Sequence, residues 1–256
     1  MASQSPLKAK PLRNPGDSID EEIRALTEDK LLEALFFAGA FSLIAMMEWF
    51  GYLTNAPRRP ILLTCVAVVA CGLAGWRAWQ IRDRLKRLRL GRDGERCVGQ
   101  FLERLREDGA QVFHDVPGGN FNVDHVIIST RGVFAVETKT FSKPSPRATI
   151  TVAGDSVRIA GRRPDRDPIE QVTAAARWLE GLLETSTGRR FSVRGVVVFP
   201  GWFVEQPKER GSVWVLEPKA LPAFIEKEPA SIAPADVALA AFHLSRYVRS
   251  EVEKAA

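Results

Sequence analysis

Two short runs bring carboxylates and a lysine into positions where they could act together. Asp124 stands in Val123-Asp124-His125, and Glu137 and Lys139 stand in Val136-Glu137-Thr138-Lys139. The runs are joined through Ser129-Thr130-Arg131-Gly132. A two-residue hairpin loop at Thr130-Arg131 opposes 128 with 133, 126 with 135, and 124 with 137. Asp124 then lies across from Glu137, and strand alternation puts Lys139 on that same face while Thr138 points away. A slip of one residue would send Asp124 to the other face. Carboxylates are hard oxygen ligands for a divalent cation, and a lysine supplies a cation beside an attacking water or leaving oxygen. The chemistry suited to this set is metal-assisted hydrolysis of a phosphodiester. A structural ion pair from Lys139 to Asp124 or Glu137 would use the same residues.

The strands that carry these groups are otherwise Val, Ile, Phe and Ala, where an unpaired carboxylate is costly. By parity His125 falls on the face opposite Asp124, which suits a core hydrogen bond better than catalysis. Gly118-Gly119-Asn120 reads as a simple turn. Arg162, Arg163 and Arg166, in the loop before a helix, are candidates for contact with a nucleic-acid backbone, or else a solvated loop.

Around these residues the pattern predicts a soluble α/β domain. A helix is expected from about Asp93 to Glu107, with strands near Gln111 to Asp115, Val123 to Ser129 and Val133 to Thr138. A small hairpin is expected at Ala148 to Val152 and Val157 to Ala160, turning at Gly154-Asp155. A helix from Pro168 to about Glu184, strands at Val193 to Phe199 and Ser212 to Leu216, a short helix near Leu221 to Glu226 and a final helix from Pro234 to Val252 complete it.

The chain before this domain differs in kind. Ala34 to Leu53 and Ile61 to Trp79 are apolar runs of about the length that crosses a hydrocarbon core, separated by a Pro-bounded loop. Trp49, Phe50, Tyr52, Trp76 and Trp79 stand near their ends, as interfacial residues do. A transmembrane hairpin fits better than a pair of buried core helices. After it come Arg77, Arg82, Arg84, Lys86, Arg87, Arg89 and Arg92, denser than Arg58 and Arg59 in the loop. The positive-inside rule places residues 81 to 256 and the N-terminus in the cytoplasm, at what is expected to be a prokaryotic cell membrane. The basic stretch suits lipid headgroups more than DNA phosphates.

The expected organisation is a flexible tail at 1–30 that turns helical around Ile19 to Leu32, a transmembrane hairpin at 31–80, a basic juxtamembrane helix or linker at 81–92, and the α/β domain at 93–256. With 256 residues, 45% of them hydrophobic, a packed core is within reach. The net charge of +5 favours an anionic partner, nucleic acid or lipid. Three cysteines without a CxxC pair argue against a disulfide framework or a zinc site.

Several stretches together resemble the NERD family, the nuclease-related domain. They are Gly91-Arg92-Asp93-Gly94-Glu95, His114-Asp115-Val116, Asn122 to Ile128, and Arg131-Gly132-Val133-Phe134-Ala135-Val136-Glu137-Thr138-Lys139, continued by Pro168-Ile169-Glu170-Gln171 and Val196-Val197-Val198-Phe199. The resemblance implies a PD-(D/E)xK fold like that of restriction endonucleases, a mixed β-sheet flanked by helices. It also implies a magnesium-dependent nuclease, with manganese as a substitute, acting on DNA. Under it Glu95 is the helix-borne glutamate. Asp124 and Glu137 bind the metal with the backbone carbonyl of Thr138, and Glu95 assists. Lys139 positions or activates water, and Gln171 orients a phosphate or water. Where the family often has Asn after its lysine, this chain has Thr140. A non-catalytic nucleic-acid-binding or scaffold protein that kept the fold is the alternative.

Overall fold

The computed structural model describes residues 12–54, 60–153, 156–205 and 211–254. The chain divides into two compact units, Ile19–Arg89 on one hand and Met1–Ser18 with Leu90–Ala256 on the other. Among the described residues the strands are β1 (Gln111–Pro117), β2 (Asn122–Ser129), β3 (Gly132–Thr138), β4 (Thr149–Ala153), β5 (Ser156–Ile159), β6 (Val193–Val198), β7 (Phe203–Glu205) and β8 (Trp214–Leu216). The helices are α1 (Asp17–Thr27), α2 (Glu33–Leu53), α3 (Pro60–Leu102), α4 (Pro168–Thr187), α5 (Leu221–Glu226) and α6 (Pro234–Lys254).

The larger unit is built on a mixed five-stranded sheet of order β1-β2-β3-β6-β8. Strands β1, β2 and β3 run antiparallel, and β6 and β8 continue the sheet in parallel. The β2–β3 hairpin has the two-residue turn and register expected from its sequence, from Ser129↔Gly132 to His125↔Val136. A parallel β3–β6 pair needs a crossover, and α4 provides the helix of that connection. Asp167 caps α4 by accepting from the Ile169 N–H at 2.9 Å, Pro168 opens it, and Gly188 closes it at φ 71°.

Alternation sorts the strands between two cores. Val126, Ile128, Val133, Ala135 and Val197 pack under α4 and α6. Ile127, Phe134, Val136, Val196 and Val198 pack under the C-terminal part of α3 and under α5. Such two-sided burial explains why these strands read as continuous apolar runs. A second sheet, β5-β4-β7, holds the expected small hairpin, whose Gly154-Asp155 turn lies outside the described residues. Strand β7, three residues long, is too short to have shown an alternating pattern.

Two expectations are corrected. The helix expected to start near Asp93 is the last part of α3, which runs unbroken for 43 residues from Pro60 and ends in a 3-10 turn at Glu103–Arg106. Neither the basic stretch nor Gly91 and Gly94 interrupts it, because Arg, Lys and Leu are good helix formers and isolated glycines cost only about 1 kcal/mol each. The stretch read as a tail is also partly built in. Residues 12–18 lie on the larger unit, with Pro15 packed against Gly99, where any Cβ would fall 2.3 Å from the proline ring.

Asp115 anchors that stretch. Its carboxylate accepts from Arg13 Nε, from the backbone N and the Oγ of Ser18, each at 2.7 Å, and from Asn122 Nδ2 at 2.8 Å. Asp115 is buried and takes a positive φ of 49°, rare outside glycine but tolerated best by Asp and Asn.

In the smaller unit the usual distribution of side chains is inverted. Phe36, Phe50, Leu53, Ile61 and Trp79 are more than two-thirds exposed, while the buried positions within α2 and the apolar part of α3 are Ala38, Ala45, Gly51, Pro60, Ala67 and Ala74, all but the proline small. Trp49 Nε1 donates to Thr64 Oγ1 at 2.8 Å, and Ser42 Oγ lies 3.5 Å from Cys71 Sγ. Small residues between helices and large apolar ones outward form a pattern that helices packed in lipid share. Both α2 and α3 are long and apolar enough to cross a membrane. The loop carrying Arg58 and Arg59 lies outside the described residues.

Removing the Asp115 carboxylate takes the acceptor from Arg13 Nε, from the backbone N and Oγ of Ser18 and from Asn122 Nδ2. Asp115→Ala is expected to lower the unfolding free energy by about 3–5 kcal/mol, and Ser18→Ala by about 1 kcal/mol. Urea unfolding of the full chain in detergent, followed by tryptophan fluorescence, measures both.

Candidate active site

Glu137 and Thr138 end β3, and Lys139 follows, its N–H bonded to Val198 O at 2.9 Å. Asp124 lies one step beyond the last rung of the β2–β3 ladder. In place of a further rung, its Oδ2 accepts from the Thr138 N–H at 2.6 Å. Lys139 Nζ donates to Glu137 Oε1 at 2.6 Å, with both side chains largely covered.

Glu95 reaches this end of the sheet from α3. Its neighbour Gly94 is the reason the helix can lie so close: a Cβ there would fall 1.8 Å from Thr140 Oγ1 and 2.9 Å from Thr140 Cβ. Backbone-to-side-chain contact at that distance admits only glycine. The helix thus closes on the residue that follows Lys139, and Glu95 is buried beside the other acids.

The electrostatics of the group follow from this crowding. Burial, then the charges of Asp115 and Glu137, push the Glu95 carboxyl up to about 8, while Lys139 and a backbone N–H from Gly16 oppose the shift. Burial, then Glu137 and Glu95, raises the Asp124 carboxyl well above the ordinary carboxylate range, against the Thr138 N–H and Lys139. One ammonium does not balance three neighbouring carboxyls.

Among the described residues no three His, Cys, Asp or Glu side chains are drawn together tightly enough to hold a metal ion without adjustment. The chemistry of the donor set nevertheless fits a divalent cation. Glu95, Asp124 and Glu137 offer hard oxygens, and their mutual repulsion is what a cation would relieve. The Thr138 carbonyl stands in the same run.

Asp124, Glu137, Lys139 and Glu95 are therefore brought into one electrostatic neighbourhood. Gln171 lies in the first turns of α4, which packs on β3 and β6, and its Oε1 is buried without a hydrogen-bond partner. It makes no hydrogen bond to the acidic group. Arg162, Arg163 and Arg166 are exposed in the chain leading to α4. His125 faces away from Asp124, as parity required, and is fully buried against His114 and Thr138.

The Asp115 anchor and the His114–His125 contact had no signal in the sequence. A positive φ and a bond across some 100 residues leave no local pattern. The pairing of two histidines follows only from the β1–β2 register, His114↔His125.

Residues 90–200 match the family model of NERD, the nuclease-related domain, a PD-(D/E)xK-like nuclease domain. No curated protein and no solved structure matches the chain. The matched segment carries Glu95, Asp124, Glu137, Lys139 and Gln171.

A folded-state carboxyl raised from 4.5 to about 8 favours the fold below pH 4.5, and that contribution is lost as pH rises through 8. Without divalent cations, Glu95→Gln is expected to be a few kcal/mol more stable than wild type at pH 9 and no different at pH 4. Thermal melts across this range provide the check, and equal stability at pH 9 would contradict the shift.

Proposed function

We propose that the chain is a membrane-anchored, magnesium-dependent nuclease that hydrolyses phosphodiester bonds of DNA at the cytoplasmic face of a prokaryotic cell membrane. The observation that carries this reading is the convergence of Asp124 and Glu137 with Lys139 at one sheet end, within a nuclease-related segment.

In this reading Asp124, Glu137 and the Thr138 carbonyl hold Mg2+, with Glu95 as an assisting ligand. When bound there, the ion neutralises charge developing on the phosphate and lowers the pKa of a coordinated water, chemistry that Mn2+ also supports. Lys139 orients the attacking water and offsets charge developing in the transition state. Gln171, whose amide oxygen has no hydrogen-bond partner among the described residues, orients a water. The exposed Arg162, Arg163 and Arg166 contact backbone phosphates, which fixes register on the substrate without reading its sequence.

The anchor is read from α2 and the first part of α3, from their outward-facing large side chains, and from the basic residues that follow. Arg82, Arg84, Lys86, Arg87, Arg89 and Arg92 favour a cytoplasmic location for the nuclease domain, and two crossings return the N-terminus to the same side. Anionic headgroups complement the same charges.

A non-catalytic nucleic-acid-binding or scaffold role is the second reading. The Glu137–Lys139 ion pair and the lack, among the described residues, of a preformed three-ligand cluster favour it.

The full chain in detergent, incubated with plasmid DNA and Mg2+, separates the two. Wild type is expected to nick or linearise the plasmid, with Asp124→Ala and Lys139→Ala slower by at least about a hundredfold. Equal products from all three proteins would sink the enzyme reading. After carbonate extraction of cell membranes the chain should stay in the pellet, and release into the supernatant would rule out spanning.

A further inference from the structure

A chain of hydrogen bonds runs from the protein surface to the middle residue of the Glu-x-Lys run. Glu103, in the turn after α3, is half exposed, and its Oε1 lies 2.7 Å from His114 Nε2. His114 Nδ1 lies 2.9 Å from His125 Nδ1, and His125 Nε2 lies 3.3 Å from Thr138 Oγ1. The two histidines are cross-strand partners on β1 and β2, and His125 is in turn paired with Val136 of β3. His114, His125 and Thr138 are all buried.

The outer end fixes the direction of every bond. Glu103 also accepts from Arg106 Nε at 2.6 Å. Partial burial works against its charge, but the donors from Arg106 and His114 prevail and hold its carboxyl below the usual value. It therefore accepts, and His114 donates from Nε2. Burial disfavours the charged form of both imidazoles, lowering His114 despite Glu103 and lowering His125 further with His114 beside it. A neutral imidazole has one N–H, so His114 Nδ1 is a bare acceptor. Contact between the two Nδ1 atoms then requires His125 to donate from Nδ1. That leaves His125 Nε2 as acceptor and the Thr138 hydroxyl as donor. With neutral imidazoles no other proton arrangement satisfies all three contacts, and a miss would leave buried polar atoms unpaired.

The inner end of the chain grips a residue of consequence. Thr138 lies between Glu137 and Lys139, and its N–H holds Asp124. Because side chains alternate along β3, the histidines hold Thr138 from the face opposite the two charged neighbours. We propose that Glu103, His114 and His125 are positioning residues that act through Thr138. They set the angle at which the end of β3 presents Glu137, Lys139 and the Thr138 peptide to Asp124. The assignment of a catalytic consequence rests on the phosphodiesterase reading above. None of the three touches the reacting atoms, and no proton need pass along them.

A merely space-filling pair of histidines would affect stability alone, so the test reads geometry and turnover separately. The full chain in detergent micelles, labelled with 15N in histidine and threonine, is compared with Glu103→Ala and Glu103→Gln. In the wild type His114 is expected as the Nε2–H tautomer and His125 as the Nδ1–H tautomer. The Thr138 amide proton is expected far downfield and slow to exchange, bonded as it is to a carboxylate. Glu103→Ala, at a half-exposed position, should mix the tautomers, move the Thr138 amide upfield and lower kcat by about tenfold with KM for plasmid unchanged. Glu103→Gln, whose amide oxygen still accepts from His114, should keep tautomers, amide shift and kcat near wild type.

An Nε2–H tautomer at His125 in the wild type would overturn the chain of bonds. An unmoved Thr138 amide in Glu103→Ala would overturn the positioning role, as would an unchanged kcat. A wild type with no nuclease activity would sink the phosphodiesterase reading, and with it the catalytic consequence, while the tautomers and the amide would still judge the positioning of Thr138.

Discussion

The acidic end of the sheet depends on the bond from the Thr138 amide to Asp124. The regular ladder between β2 and β3 stops at His125↔Val136. Where the next rung would fall, a backbone donor goes to a side-chain carboxylate instead. That substitution draws Asp124 in toward the strand and commits one of its oxygens, while Glu137 is committed to Lys139. A charge-assisted bond is shorter and stronger than a rung between neutral peptides. It therefore suits a position where two acids must be kept side by side against their repulsion.

Nearby carboxylates in this unit are treated in contrasting ways. Asp115 receives four donors and is fully provided for by the fold. Glu95 and Asp124 receive too little positive charge for their depth, and both are pushed toward the protonated form. The first arrangement is structural. The second leaves repulsion between buried carboxyls uncompensated, a pattern that clusters at functional sites but that structural ion-pair networks also show. Gly94 belongs to the second arrangement, since its missing side chain is what lets α3 press Glu95 into the acidic group.

How much of this was legible in the sequence varied with the range of the interaction. The hairpin register was readable because a two-residue turn and a two-residue side-chain period leave one alignment in which Val126, Ile128, Val133 and Ala135 share a face. Asp124, Glu137 and Lys139 followed from that alignment, whereas Glu95 came only from family resemblance. Its approach depends on a helix–loop contact between Gly94 and Thr140 that has no local pattern. The continuity of α3 has no signal in the sequence, because its composition changes from apolar to basic along it and that change looks like a boundary between elements. The unpartnered amide oxygen of Gln171 is likewise a property of the packed fold, invisible to spacing.

The contacts of Arg13 and Ser18 with Asp115 bear on the order in which the molecule can be made. They join residues separated by 102 and 97 positions, and the whole apolar unit lies between them in the chain. The apolar segment is thus an insertion within the sequence of the larger unit. A ribosome adding about 5–20 residues per second would expose the first stretch many seconds before its partner strand exists. Residues 12–18 must wait, unpaired, while the apolar helices are synthesised, and they can be stitched in only once β1 has emerged.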